Sequence, residues 1–173
     1  MESIEHFTTM NTNSFKGKNV LITGATGGIG NKVTTSLIQL GANVIATTRK
    51  RENIRSSLGK VEANKNFDFE IVNFENPMNI RQSFINIMKK FEGKLDLVII
   101  CHAIFKAGGI EDSSRVDFDH AININTRSIF HLISISTPFL KLSQGNIVIM
   151  SSLEAFIPVS TSLLNSISKV RKN

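Results

Sequence analysis

The stretch with the clearest chemical use runs Thr23-Gly24-Ala25-Thr26-Gly27-Gly28-Ile29-Gly30, in a chain of 173 residues. It follows an apolar run and opens an amphipathic one. Gly24 turns the chain sharply off a strand, Gly28 lets backbone N–H groups approach a pyrophosphate, and Gly30 lets a helix lie close to a sheet. The positive end of the helix that begins there faces the phosphates. The pattern therefore predicts a dinucleotide site. Near the other end, Asn165 and Lys169 stand four positions apart and share one face of any helix that contains them. Cys101 is the single cysteine, and His6, His102, His120 and His131 are scattered without ligand spacing. That composition points to no metal site and no disulfide framework, and His102 reads as a structural side chain.

The elements that must hold these residues alternate. NVLIT (19–23) reads as a strand. The segment from Ile29 to Leu40 follows as a helix with Ile29, Val33, Leu37 and Leu40 on its apolar face, closed by Gly41. NVIATT (43–48) is a second strand and 49–58 a short charged helix. NFDFEIVNF (66–74) alternates as a third strand. Pro77 opens a helix to about Phe91, with Ile80, Phe84, Ile87, Met88 and Phe91 as its stripe. LDLVIIC (95–101) is a fourth strand whose unbroken apolar run marks burial on both faces. A long helix from about Arg115 to Leu142 contains Pro138, which bends or ends it. GNIVIMSS (145–152) is a fifth strand, and a loop with Pro158 leads to a first turn or two of helix near Leu164. This alternation predicts an α/β fold, a parallel sheet with helices on both faces. Residues 1–14 are expected to be a flexible leader, and 15–173 a single domain.

The T-G-x-x-x-G-x-G spacing of Thr23 to Gly30, with its lead-in FKGKNVLITGA, resembles the short-chain dehydrogenase/reductase family over about residues 15–169. The resemblance implies a Rossmann-type doubly wound sheet of about five strands, in the order 3-2-1-4-5. It places Thr23, Gly24, Thr26, Gly28, Ile29 and Gly30 at the cofactor. After the second strand, where an acidic residue would hold the ribose of NAD, stand Thr48 and Arg49. A guanidinium pairs with a 2′-phosphate that a carboxylate would repel, so NADP(H) is expected over NAD(H). Asn73 and Phe74 occupy the adenine position. Where the family has Asn-Asn-Ala-Gly this chain has Cys101-His102-Ala103-Ile104; Ala103 matches, and Ile104 crowds the approach of the backbone to a nucleotide.

The same resemblance implies four catalytic positions. NTRSIF makes Asn125 the candidate asparagine, with Asn123 as the nearby competitor and Ser128 in place of a small glycine. IVIMSS makes Ser152 the serine that polarises a substrate carbonyl. Thirteen positions further, where the family carries its proton-donating tyrosine, the residue is Asn165. Lys169 follows as the lysine that binds the nicotinamide ribose. The chain contains no tyrosine, so no shift of register restores one, and an amide is not a usable acid near neutral pH. Loss of a general acid typically costs ~10²–10⁴-fold in rate.

Composition narrows the remaining readings. The net charge of +6 is spread along the chain, with clusters at 49–51 and 169–172 and no aromatic-and-basic ribbon. It reads as a solvated surface with local phosphate contacts, not a nucleic-acid interface. No apolar run reaches the ~18 residues of a membrane span, and one cysteine suits a reducing, cytoplasmic setting. The end at Asn173 is expected to remove family strands and cut short a helix of the usual homo-oligomer interface. Three readings stand: an NADP(H)-dependent oxidoreductase of small carbonyl or alcohol substrates with weak or lost catalysis, a non-catalytic NADP(H)-binding module, and a degenerate fragment of such an enzyme.

Overall fold

β1 (Asn19–Thr23) lies at the centre of a five-stranded parallel sheet in the order β3-β2-β1-β4-β5, in a computed structural model that describes residues 14–157 and 159–169. β2 (Asn43–Thr48) and β3 (Phe67–Ile71) extend the sheet on one side, β4 (Leu97–Ile100) and β5 (Asn146–Ile149) on the other. The register sets Leu21 beside Ile45 and Val98, and Ile22 beside Ala46 and Ile99. The expected leader, apart from Ser14, lies outside the described residues, as do Pro158 and everything after Lys169.

Alternation along the strands builds two cores. Val20, Ile22, Val44 and Ile99 face α1 (Gly28–Gln39) and α2 (Arg51–Leu58), where Leu37, Ile38, Ile54 and Leu58 close the layer. Leu21, Ile45, Val98 and Ile100 face the other way, against Phe84, Ile87 and Met88 of α3 (Pro77–Lys90) and Ile129, Leu132 and Leu140 of α5 (Ser128–Ser143). Burial of each such side chain contributes roughly 1.5–3 kcal/mol. Helix caps agree with the local sequence: Asn76 accepts from the N–H groups of Met78 and Asn79 ahead of Pro77, and Ser114 forms a reciprocal box with Asp117 at the start of α4 (Arg115–Ile122).

Three expectations are corrected, and of the two alternatives for Pro138 one is removed. The helix expected from Arg115 to Leu142 is α4 and α5 joined by a π-helical turn, Asn123–Arg127. Pro138 does not end α5, which runs on to Ser143; Ser136 and Thr137 donate their hydroxyls to the Ile133 carbonyl just upstream. Ile29 is 59% exposed and leaves the apolar face of α1, which is closed by Thr34 instead. β5 stops at Ile149, so Ser152 lies beyond the strand, capping a 3₁₀ turn, Leu153–Ala155. No residue of β5 is buried. α6 (Leu163–Lys169) completes the described elements. Among the described residues, no helix is long and apolar enough to cross a membrane.

Candidate active site

A cleft of about 410 Å³ opens at the C-terminal ends of β1, β2 and β4, the crevice where open α/β sheets take their ligands. Gly24, Thr26, Thr48, Arg49, Asn73, Phe74 and Ala103 line it, all expected from sequence. Gly27, Thr47, Cys101, His102 and Ile104 line it as well.

The glycine turn is dictated by contact. Gly24 has φ +65°, and a Cβ there would fall 2.6 Å from the His102 backbone nitrogen. A Cβ on Gly30 would lie 2.2 Å from the Gly24 carbonyl oxygen. Gly28 has nothing within 4 Å of the corresponding point, so its role concerns space and not support. The start of α1 carries no side-chain cap and no acidic residue in its first turn. Its leading N–H groups therefore have no partner within the helix, the arrangement that suits a phosphate. At the edge of the cleft, Thr47 is buried with its hydroxyl unpaired. These features fit a dinucleotide. Arg49 stands exposed at the cleft edge. The Thr48 hydroxyl instead folds back on the loop, donating to the Lys50 carbonyl at 2.9 Å, and the Asn73 side-chain amide oxygen Oδ1 accepts from the Glu75 N–H at 3.0 Å.

Thr23, Gly28, Ile29, Gly30 and Lys169 are not on the cleft wall. Thr23 is fully buried and supports the turn from behind. Its hydroxyl lies 2.7 Å from His102 Nδ1, while His102 Nε2 lies 2.8 Å from the Ser128 hydroxyl. Ser128 donates its own proton to the Ile124 carbonyl at 2.6 Å. Toward His102 the Ser128 oxygen must therefore accept, which puts the imidazole proton on Nε2 and makes Nδ1 the acceptor from Thr23. The ring stacks on Phe74 at 3.9 Å. Burial, with a lesser push from the Lys169 ammonium, lowers the His102 pKa to about 4. His102 is thus a neutral structural side chain, held by Ser128; two departures from the family pattern bond to each other.

Asn125 is buried on the π turn. It accepts from the Ile104 N–H at 2.8 Å, donates to the Ile104 carbonyl at 3.0 Å and donates to the Ser168 hydroxyl at 2.9 Å. It fixes the cleft wall to α6. The Lys169 ammonium is buried, donates to the Met150 carbonyl at 3.3 Å, and its charge is felt at both Cys101 and His102. Burial raises the Cys101 pKa, against a smaller opposing effect of Lys169. Ser152 accepts from the Glu154 N–H at 3.3 Å, and Asn165 donates its amide proton to the Glu154 carboxylate. Ser152, Asn165 and Glu154 thus form one connected group. Sequence reasoning missed Glu154 and Thr47. Thr47 was signalled by its place at the end of β2; nothing local marked Glu154.

A family model described as short chain dehydrogenase matches residues 18–170. The chain belongs to the short chain dehydrogenase family. A tropinone reductase homolog of Arabidopsis thaliana is 29% identical over 161 residues, which is 90% of this chain and 59% of that protein. A 3-oxoacyl-[acyl-carrier-protein] reductase of Thermotoga maritima is 29% identical over 140 residues, 80% of this chain and 56% of the relative. The chain thus spans less than two thirds of the length of these relatives. A short-chain dehydrogenase/reductase from Burkholderia phymatum, solved in complex with NAD, shares the fold with a TM-score of 0.82 at 19% identity, over 90% of this chain and 56% of that one. A glucose/ribitol dehydrogenase-type member from Brucella melitensis has the same TM-score at 23% identity, over 90% of this chain and 65% of that one.

Proposed function

We propose that this chain binds NADP(H) in the cleft at the C-terminal ends of β1, β2 and β4 and acts in oxidoreductase chemistry on small carbonyl or alcohol substrates, with weakened turnover. The observation that carries the reading is the uncapped start of α1 beside the Gly24 turn, with the Arg49 guanidinium at the end of β2. α1 and Gly28 would take the pyrophosphate, Arg49 the 2′-phosphate, and Asn73 and Phe74 the adenine end. Lys169 would hold the nicotinamide ribose. Its place, buried and close enough to Cys101 and His102 for its charge to reach them, supports that role. When bound, the cofactor supplies or takes the hydride. Ser152 orients the substrate oxygen, and Asn125 keeps the Ile104 segment of the wall in register with α6.

A non-catalytic NADP(H)-binding module is the second reading, favoured by the amide of Asn165 where the family carries its acid. Titrating the protein with NADPH and NADH by fluorescence, followed by a carbonyl panel, separates the two. Binding of neither cofactor overturns both. Binding without turnover selects the module. A Kd for NADH equal to or below that for NADPH overturns the role given to Arg49.

A further inference from the structure

We propose that the Glu154 carboxylate serves as the proton-transfer group of this site, in the place that Asn165 leaves without an acid. The inference rests on the NADP(H) reading above. Asn165 Nδ2 donates to Glu154 Oε2, so the residue at the acid position grips a carboxylate directly. The Glu154 backbone N–H donates to the Ser152 hydroxyl oxygen at 3.3 Å. Glu154 is thereby tied both to the serine that orients the substrate and to the asparagine. Asn165 is 8% exposed, whereas Glu154 is only partly buried and open to solvent. The amide holds Oε2, and Oε1 takes no hydrogen bond among the described residues.

The other titratable groups nearby are less suited. Both ring nitrogens of His102 are engaged, by Thr23 and by Ser128. The Cys101 thiol has its pKa raised by burial. The Lys169 ammonium is committed to the Met150 carbonyl and to a ribose role. In alcohol oxidation, the substrate O–H bond breaks and its proton passes to Glu154 Oε1. The carbinol C–H bond breaks with its electron pair, which leaves as hydride to NADP⁺, and the carbonyl forms. In reduction, the protonated carboxyl returns that proton to the carbonyl oxygen as hydride arrives from NADPH.

The test compares the unaltered chain with Glu154→Gln and Glu154→Ala, reading NADPH affinity by fluorescence and turnover on a carbonyl and alcohol panel. Expected are NADPH Kd values within about twofold of one another, and turnover lowered ~10²-fold or more in both variants. Formate or acetate added to Glu154→Ala is expected to restore part of the rate, which a purely structural role would not permit. Failure of the unaltered chain to bind NADPH overturns the cofactor reading and this proposal with it. NADPH binding with no turnover on any substrate overturns this proposal and selects the non-catalytic module, leaving the cofactor reading in place. Turnover in Glu154→Gln within threefold of the unaltered chain overturns this proposal as well, as does absence of carboxylate rescue.

Discussion

His102 makes stability depend on pH with a sign and size that can be worked out. The ring is buried and neutral in the folded chain, with a pKa of about 4 against an ordinary 6.5. The unfolded chain binds a proton at His102 below about pH 6.5, and the folded chain does not until about pH 4. The unfolded state holds more protons in that window, so stability falls as the pH drops through it. The full contribution is present above pH 6.5 and is lost by pH 4. At 1.36 kcal/mol per pH unit the whole loss is about 3 kcal/mol, of which about 2 kcal/mol has gone by pH 5. The larger cause is burial of the ring away from water, and the Lys169 ammonium adds a lesser one. Urea unfolding at pH 7 and pH 5 measures this in the unaltered chain and in His102→Gln. The unaltered chain should lose about 2 kcal/mol more than the variant between those pH values. Equal losses would refute the argument. Lys169→Met should raise the His102 pKa, followed by NMR titration of the ring, but not to its ordinary value, because burial is the larger cause.

Arg49→Ala should weaken NADPH binding ~10-fold or more while leaving NADH nearly unchanged, since a charge-assisted hydrogen bond contributes about 1.5–3 kcal/mol; calorimetric titration of both cofactors decides it. Gly30→Ala puts a methyl group 2.2 Å from the Gly24 carbonyl oxygen and should abolish NADPH binding and lower the melting temperature. Ser114→Ala removes the hydroxyl that accepts from the Asp117 N–H at 3.1 Å and should cost about 1 kcal/mol in urea unfolding.

The sheet could be read in the sequence because its signals are local. Val20 to Ile22 and Val98 to Ile100 are short apolar runs ended by turns; Gly24 follows the first, and Gly41 closes α1 ahead of β2. The cleft glycines were legible for the same reason. The π turn was not, because Asn125 is held by Ile104 and Ser168, 21 and 43 positions away. Periodicity alone reads Arg115 to Leu142 as one helix, since the turn changes hydrogen bonding without interrupting the apolar pattern. His102 has its partners at Thr23 and Ser128, 79 and 26 positions distant. A serine inside an apolar helix was the one local hint of that pairing. The role proposed for Glu154 depends on how α6 folds back over the 3₁₀ turn, which no short window contains.

The π turn at Asn123–Arg127 also governs which changes of chain length this region tolerates. Each residue added to or taken from an α-helix rotates everything beyond it by about 100°. A wide turn can surrender a residue and close to ordinary α geometry. Deleting one residue there would leave α4 and α5 as a single straight rod, with Ile129, Leu132 and Leu140 still able to meet the sheet. What it would lose is the aim of Asn125, and with it the clamp joining Ile104 to Ser168. The same deletion inside α5 would turn its apolar stripe away from β4. Length variation among related chains should therefore be tolerated for folding only at this turn, and should disconnect the cleft wall from α6 wherever it occurs.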